Sequence, residues 1–406
     1  MSNEALKESI DGILERVTTS DLRVPGVTAV ITNRDGDLYA DSAGVRTLGE
    51  MQAMTNDTTL RVASVTKAIT GTACLQLVED GRLDLDAPAK QYAPGLAKIQ
   101  VLEGFGHNGS PQLRPPKRDM TTRNLLLHTA GFAYDFFNES YSRLAREHGQ
   151  VSVGSALRAA LDTPILFDPG DQWEYGTSID WAGQVVEGIT GQRLGEVMQE
   201  RIFSPLGMAD TAFTMSSAMR ERMANIHQRT NDGSLIPLDV MPPQDPEVHM
   251  GGSGLYSTAL DFSKFIRMWL NDGAGPSGQV LRPETVRMAE TNGLGKLKIK
   301  GLPGINPTQS NYAEFFPGIS KSWGLTFMIN DEDASTGRPA GCLAWAGMFN
   351  LYYWIDRRNG VGGFWATQIL PFFDPTSLDG YLDMETATYQ SLRSFGSDGL
   401  ATRSSE

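Results

Sequence analysis

Cysteine is scarce in this chain, which has only Cys74 and Cys342 among 406 residues. Both lie in apolar runs, which predicts two buried thiols and no disulfide framework. Long apolar runs are missing as well: no segment approaches the roughly 18 residues of a membrane-spanning helix. The N-terminal stretch MSNEALKESIDGILERV lacks the apolar core of a signal peptide. These absences predict a cytoplasmic protein without a membrane partner.

Clustered positive charge is also absent, since 35 basic residues are scattered against 48 acidic ones and the net charge is -13. Binding a phosphate backbone needs a clustered basic surface, so a nucleic-acid partner is excluded. The five histidines are scattered and no C-x-x-C occurs, so we expect no metal. Nucleotide-binding glycine motifs and the G-x-S-x-G elbow are missing too, which predicts no cofactor and disfavours the Ser-His-Asp hydrolases that use this elbow.

Apolar periodicity and turn residues divide the chain into strand-rich ends and a helical middle. Strand-like runs lie on both sides of Asp35 and Gly36 and again in residues 341–370. The middle of the chain is predicted to consist of helices joined by Pro/Gly loops. Residues 104–119 are one such loop. The pattern predicts a single α/β (α+β) domain over residues 1–406. In it, a sheet lobe from about 1–82 and 225–406 would carry an inserted helical lobe over about 83–224.

The stretch RVASVTKAIT places Ser64 and Lys67 three residues apart where a helix begins. Side chains at this spacing share one helix face, and a helix start offers free N–H groups beside the hydroxyl. A neutral lysine can take the proton of such a serine, which would make Ser64 a nucleophile. The alternative is an ordinary helix start with Ser64 as its N-cap, and a single S-x-x-K does not decide between them.

Two further stretches carry candidate residues. In DPGDQWEYGTSIDWAG, Tyr175 precedes a helix and could share a proton with Lys67, or it could be a core tyrosine under a loop. In CLAWAGMFN, the small residues Ala346 and Gly347 allow a close approach of the backbone to a ligand. The N–H of Met348 could then join that of Ser64 in an oxyanion hole, the alternative being plain sheet packing.

In this order and spacing, the three stretches resemble the class C serine β-lactamases and the penicillin-binding proteins. The resemblance is closest to the family VIII carboxylesterases and extends to the fungal acyltransferase of lovastatin biosynthesis. It spans about residues 6–392. Further stretches that carry it are VPGVTAVI, VEDGRLDLDAP, VLEGF, LLLHTAGF, FSPLGMADTAF and GGSGLYSTALDF. The fold implied is β-lactamase/transpeptidase-like, with an antiparallel sheet, flanking helices and a mainly helical lobe.

The resemblance implies a role for each matching residue. Ser64 is implied as the nucleophile, Lys67 as its activator and Tyr175 as the tyrosine of the family's Y-x-N motif. WAGM stands where β-lactamases carry K-T-G, which implies the N–H of Met348 as the second oxyanion donor. The residues implied to contact the substrate are Thr177, Trp345, Ala346, Gly347 and Phe349.

Two departures from the β-lactamase pattern indicate the substrate class. The asparagine of Y-x-N is Thr177, and the lysine of K-T-G, which helps hold a drug's carboxylate in β-lactamases, is Trp345. An uncharged small-molecule ester is therefore the expected substrate, with weak β-lactam hydrolysis beside it. The alternatives are an acyltransferase that passes the acyl group to an alcohol and a non-catalytic, penicillin-binding-like ligand receptor.

Overall fold

The structure is a computed structural model that describes residues 3–240 and 243–401. Its α-helices in that range are α1 (Asn3–Thr19), α2 (Thr66–Glu79), α3 (Thr122–Leu126), α4 (Glu139–His148), α5 (Ser178–Thr190), α6 (Leu194–Met198), α7 (Ser204–Leu206), α8 (Ser217–Glu221), α9 (Ala259–Leu270), α10 (Pro283–Ala289) and α11 (Pro375–Ala401). Its strands are β1 (Gly26–Asn33), β2 (Asp37–Gly44), β3 (Leu60–Arg61), β4 (Val101–Phe105), β5 (Pro111–Arg114), β6 (His227–Arg229), β7 (Leu235–Pro237), β8 (Tyr256–Ser257), β9 (Ala274–Gly275), β10 (Gly278–Gln279), β11 (Lys321–Trp323), β12 (Met328–Asn330), β13 (Leu343–Gly347), β14 (Leu351–Asp356), β15 (Val361–Ala366) and β16 (Ile369–Leu370).

Strands from both ends of the chain form one seven-stranded antiparallel sheet in the order β11-β12-β13-β14-β15-β1-β2. The predicted turn at Asp35 and Gly36 joins β1 to β2, and the side chain of Asn33 accepts hydrogen bonds from both N–H groups at 2.8 and 2.9 Å. The predicted strands in residues 341–370 are β13, β14 and β15. The mixed fold class with its antiparallel sheet and flanking helices is confirmed.

Helices cover both faces of this sheet. Gly380 of α11 lies so close to β15 that a β-carbon there would be 2.6 Å from the ring of Trp365. A β-carbon on Gly362 would lie 2.6 Å from Ile266 of α9. Positions 362 and 365 are an odd number apart on one strand and face opposite sides of the sheet. Strands β13 to β15 are buried throughout for this reason, and their sequence is almost continuously apolar.

None of the seven sheet strands comes from residues 83–224, which contribute helices α3 to α8. The prediction of an unstructured loop over 104–119 is wrong in part, because β4 and β5 pair there as a small hairpin. The pairing is irregular between Leu102 and Gly104, and Gly104 has a φ of 145°, which a residue with a β-carbon rarely adopts. This bulge broke the alternating pattern by which a strand is recognised in the sequence.

Helix α2 runs through the interior and positions the candidate site. Residues 66–77 of this helix are all buried, and α2 packs against α5. A β-carbon on Gly71 would come within 2.0 Å of the Thr326 side chain, so the helix passes very close to its neighbour there. The helix ends at Glu79, and Gly81 just after its last turn has a φ of 69°, which favours glycine. No helix of the described residues is long and apolar enough to cross a membrane.

Candidate active site

An apolar cavity opens at the start of α2 and encloses about 710 Å³ of empty space, counting its open mouth. The predicted site residues on its wall are Ser64, Tyr175, Trp345, Ala346, Gly347, Met348 and Phe349. Aromatic side chains such as Phe136, Phe137 and Phe372 supply much of the remaining surface.

Ser64 sits in a 3₁₀ turn, Ala63–Val65, that leads directly into α2. Ala63 has a φ of 45°, a left-handed conformation that is strained for a residue with a β-carbon. Just before it, β3 is held by antiparallel pairing with β8. Ser64 is not an N-cap, because its hydroxyl is engaged by a side chain and caps no backbone N–H. The turn presents this hydroxyl to the cavity.

Lys67 is fully buried, with 1% of its surface exposed, and its ammonium group is held by three oxygens. Nζ donates to Ser64 Oγ at 3.0 Å, to the hydroxyl of Tyr134 at 3.0 Å and to the carbonyl of Gly252 at 2.7 Å. None of these acceptors is a carboxylate. An amine fixed at this distance from a hydroxyl can receive its proton directly.

Tyr134 is a member of the site that the sequence analysis missed. Its hydroxyl accepts a hydrogen bond from Lys67, and its ring lies 5.5 Å from that of Tyr175. Burial, followed by the charge of Asp180, raises the pKa of Tyr134 well above its usual value, so this phenol keeps its proton. Tyr134 follows the stretch LLLHTAGF closely, which was the available signal.

Tyr175 lies over Lys67, with Nζ 4.9 Å from the centre of its ring. Its hydroxyl accepts a hydrogen bond from the indole Nε1 of Trp345 at 2.9 Å. Trp345 therefore does more than supply the apolar contact expected from the sequence, because it orients the phenol. Among the described residues, no hydrogen bond joins Tyr175 to Lys67, so the proton sharing predicted for this pair is not present as a direct contact.

Asp180 of α5 is a second missed residue, a fully buried carboxyl behind the Gly252 peptide. Its Oδ1 accepts from the N–H of Gly252 at 2.8 Å, and the carbonyl of Gly252 accepts from Lys67. Its Oδ2 is buried and has no hydrogen-bond partner in the described structure. Burial raises the pKa of Asp180, while the charge of Lys67 opposes that rise. An acidic residue inside the apolar helix SIDWAGQVV was a readable signal.

Strand β13 ends against the turn that carries Ser64. A β-carbon on Gly347 would lie 2.5 Å from the carbonyl oxygen of Val62 and 3.3 Å from the Val65 side chain. Only glycine fits this approach, which brings the N–H of Met348 beside the start of α2. In the described structure, neither Met348 nor Ser64 donates its N–H to a backbone carbonyl outside its own element. The two groups are therefore suited to stabilise an oxyanion.

Thr177 differs from its expected surroundings, and His128 is a buried neighbour of Tyr175 that the sequence analysis did not single out. Thr177 is buried and lines a smaller neighbouring cavity behind Tyr134 instead of the main one. Its contact with a substrate stays a prediction. His128 is fully buried under Tyr175, with ring centres 4.8 Å apart, and neither ring nitrogen has a hydrogen-bond partner among the described residues. Burial lowers the pKa of His128 well below its usual value, so this imidazole is neutral.

Comparison with known proteins agrees with the fold. The family model described as "Beta-lactamase" matches residues 10–388. Lovastatin esterase of Penicillium rubens is 33% identical over 86% of this chain and 90% of its own length. Monacolin J acid methylbutanoyltransferase of Aspergillus terreus is 30% identical over 92% of this chain and 94% of its own. The solved structure of simvastatin synthase from Aspergillus terreus superposes with a TM-score of 0.82 at 29% identity, covering 94% of this chain and 97% of that one.

These relatives place the chain among serine β-lactamase-like enzymes, whose fold it shares over nearly its whole length. The chain belongs to the β-lactamase family, and within it to the branch of esterases and acyltransferases. The resemblance to the β-lactamase-like superfamily that the sequence motifs indicated is thereby confirmed.

Proposed function

We propose that this protein is a carboxylesterase that cleaves uncharged carboxylic esters through an acyl-enzyme on Ser64. The observation that carries the proposal is the 3.0 Å hydrogen bond between Lys67 Nζ and Ser64 Oγ inside an apolar cavity. An apolar wall favours an uncharged acyl group, and the buried amine supplies the base that a serine nucleophile needs.

The reaction proceeds in two steps. Ser64 Oγ attacks the ester carbonyl while Lys67, acting with Tyr175, takes the hydroxyl proton. The N–H groups of Ser64 and Met348 stabilise the oxyanion, and its collapse expels the alcohol, which leaves with a proton delivered through Tyr175. Water then attacks the acyl-enzyme with the same pair as base, and the acid is released.

The geometry supports different roles for the two phenols. The indole N–H of Trp345 points at the Tyr175 oxygen and would stabilise negative charge there, as a proton carrier requires. Tyr134 keeps its proton and binds Lys67, so its role is to hold the amine against Ser64. Asp180 acts one peptide further back, as a positioning residue for Gly252 and Lys67.

A panel of p-nitrophenyl esters of rising acyl length tests the proposal, with nitrocefin as the β-lactam. Mass spectrometry after exposure to an activated ester should show one acyl group on Ser64. The variant Ser64→Ala should lose the adduct and about six orders of magnitude in turnover. Substantial turnover by this variant, in a preparation free of other esterases, would show that Ser64 is not the nucleophile.

Acyl transfer to an alcohol is the second candidate function. It is favoured by the methylbutanoyltransferase among the relatives and by a cavity apolar enough to hold an organic acceptor. Adding an alcohol acceptor to the same panel separates the two functions, because a transferase forms the new ester in preference to the free acid. A receptor that only binds would give neither adduct nor turnover. The Ser64–Lys67 hydrogen bond argues against that function.

A further inference from the structure

A small polar cavity adjoins the main one and shares Tyr134 and Val153 with its wall. The polar residues that line this side cavity, besides Tyr134, are Asp135, Tyr141, Gln150, Ser152, Thr163 and Thr177. The volume open to the centre of a water molecule is about 30 Å³. By this measure one ordered water needs about 10–15 Å³, together with a few polar partners. The side cavity therefore has both the room and the polar wall that a bound water requires.

Thr177 supplies a buried hydroxyl without a partner to this cavity. The residue is 4% exposed, and its Oγ1 has no hydrogen-bond partner among the described residues. Thr177 stands at the N-cap position of α5, but its side chain caps no backbone N–H there. Buried hydroxyls are normally paired with a protein group or with an ordered water, because an unpaired one costs free energy. The hydroxyl of Thr177 is therefore suited to bind water in the side cavity.

The side cavity also lies close to the reacting groups. Tyr134 lines both cavities, and its hydroxyl accepts a hydrogen bond from Lys67 Nζ at 3.0 Å. Gly176 precedes Thr177 and packs against the backbone of Ala133, where a β-carbon on Gly176 would come within 2.4 Å. This contact fixes Thr177 relative to the segment that carries Tyr134. Water in the side cavity is thus one side chain away from the amine that has to deprotonate it.

The main cavity offers water much less. Its wall consists largely of aromatic and aliphatic side chains such as Phe136, Phe137 and Phe372. Apolar cavities of this kind bind water poorly and organic groups well. Once an acyl group is attached to Ser64, the remaining space suits the carbon chain of an alcohol better than a water molecule. Water and alcohol therefore have different preferred places beside the acyl-enzyme.

We infer that the side cavity supplies the water that hydrolyses the acyl-enzyme, with Thr177 as its water-binding residue, whereas an alcohol enters through the main cavity. The inference rests on the proposed function and names what decides between hydrolysis and acyl transfer. The water oxygen adds to the acyl carbonyl, and a proton of this water passes to Lys67. The bond from the acyl carbon to Ser64 Oγ then breaks, and Oγ takes that proton back.

The ratio of new ester to free acid tests this inference. The enzyme is acylated by p-nitrophenyl butanoate in the presence of a fixed concentration of ethanol, and the initial rates of formation of ethyl butanoate and butanoic acid are measured by chromatography. Both products come from the same acyl-enzyme, so any change in the acylation rate cancels in their ratio. A role of Thr177 in binding the substrate ester would alter acylation and leave this ratio unchanged.

Four variants are compared with the wild type. Thr177→Val removes the hydroxyl at nearly constant shape, and Thr177→Ser keeps a hydroxyl. Ala145→Leu fills the side cavity from the half-buried face of α4. Ala218→Leu is the matched control, because Ala218 is an exposed residue of α8 that lines neither cavity. Thermal melting shows which variants are folded.

We expect Thr177→Val to raise the ester-to-acid ratio about twofold to tenfold, the value of one hydrogen bond between neutral groups. Ala145→Leu should raise the ratio as well, Thr177→Ser should restore most of the wild-type value, and Ala218→Leu should not change it. An unchanged ratio in a folded Thr177→Val or Ala145→Leu variant overturns the inference. An equal rise in Ala218→Leu overturns it too.

The design separates this inference from the proposed function. If mass spectrometry finds no acyl group on Ser64, the proposed function fails and the inference fails with it. If the acyl group forms and the ratio is the same in every variant, the proposed function stands and the inference alone is wrong.

Discussion

Lys67 binds three oxygens at once, and this arrangement decides what the side chain can do. Ser64, Tyr134 and Gly252 accept its three possible hydrogen bonds, so the amine has no freedom to rotate away from Ser64. Because none of the three acceptors is a carboxylate, no direct ion pair holds the amine in its charged form. That combination suits a base that must lose and regain a proton in each cycle.

Replacing Lys67 by arginine should therefore be nearly as harmful as replacing it by alanine. Arginine keeps the charge but does not give up its proton in a protein, and its larger head group does not fit the three acceptors. Both variants should lose about a hundredfold to ten-thousandfold in kcat/KM for the best ester of the panel. Lys264→Arg is the control, because it makes the same exchange at the ion pair with Asp261 and should leave kcat/KM unchanged. A near-normal rate in Lys67→Arg would leave Tyr175 as the sole base.

Asp180→Asn should change the pH dependence of the reaction more than its geometry. The amide oxygen of asparagine can still accept from Gly252, but the negative charge that favours the ammonium form of Lys67 is gone. With that charge removed, the acid limb of the kcat/KM profile should move to lower pH. Asp261→Asn, a change at another buried carboxyl, should leave the profile in place. An unchanged profile in Asp180→Asn would mean that this charge does not reach Lys67.

At this scale the sequence predicted the contact that follows from local spacing and missed the contacts that are made across the fold. Ser64 and Lys67 lie three residues apart where the 3₁₀ turn leads into α2, and Tyr175 and Met348 were named from their own stretches and from the family resemblance. Tyr134 and Asp180 reach Lys67 from other segments, and no spacing in the chain reports such contacts. The bond from the Trp345 indole to Tyr175 was missed for the same reason.

At the scale of elements, the site depends on how closely β13 approaches the turn before α2. The strand contributes Trp345, Ala346 and Gly347 to the cavity wall and is buried along its length. Gly347 is the contact point, since its backbone lies against the carbonyl of Val62 with no room for a methyl group. The spacing between the two elements sets the position of the Met348 N–H relative to Ser64.

Gly347→Ala should separate these two elements and damage the oxyanion hole. The added methyl group would lie 2.5 Å from a backbone oxygen, so the strand end has to shift. Loss of one oxyanion donor typically costs about a hundredfold to a thousandfold in kcat. Gly12→Ala is the matched control, because nothing lies within 4 Å of a β-carbon there and an exposed helical glycine gains stability by this change. A normal kcat in Gly347→Ala would exclude Met348 as a donor.

The elements that the sequence predicted correctly are those with a long apolar run or a clear turn. The hairpin of β1 and β2, the strands β13 to β15 and the helix α2 all follow that rule. The short hairpin of β4 and β5 was not predicted. Its bulge at Gly104 and its exposed side chains interrupt the alternation of apolar and polar residues that indicates a strand. The local sequence pattern is sufficient to predict long buried elements, and it fails to predict short exposed ones.

At the scale of the whole molecule, charge and cavity together define which substrates are suitable. The chain carries a net charge of -13, and the wall at Trp345 holds no positive group. In β-lactamases a lysine at the position of Trp345 helps hold the carboxylate next to the scissile amide. Here that place is occupied by a buried indole, 4.6 Å from the ring of Trp323 and bonded to Tyr175.

We therefore expect the wild type to prefer short to medium esters over β-lactams. A β-lactam forgoes one charge-assisted hydrogen bond, about 1.5–3 kcal/mol or roughly tenfold to a hundredfold in binding. Trp345→Lys should move the ratio of kcat/KM values towards a cephalosporin, and Trp345→Phe, which lacks both the charge and the indole N–H, should keep the ester preference at a lower rate. Because the lysine would enter a buried aromatic cluster, the thermal stability of both variants must be measured alongside. A wild type that hydrolyses cephalosporins as fast as its best ester would show that Trp345 does not set the preference.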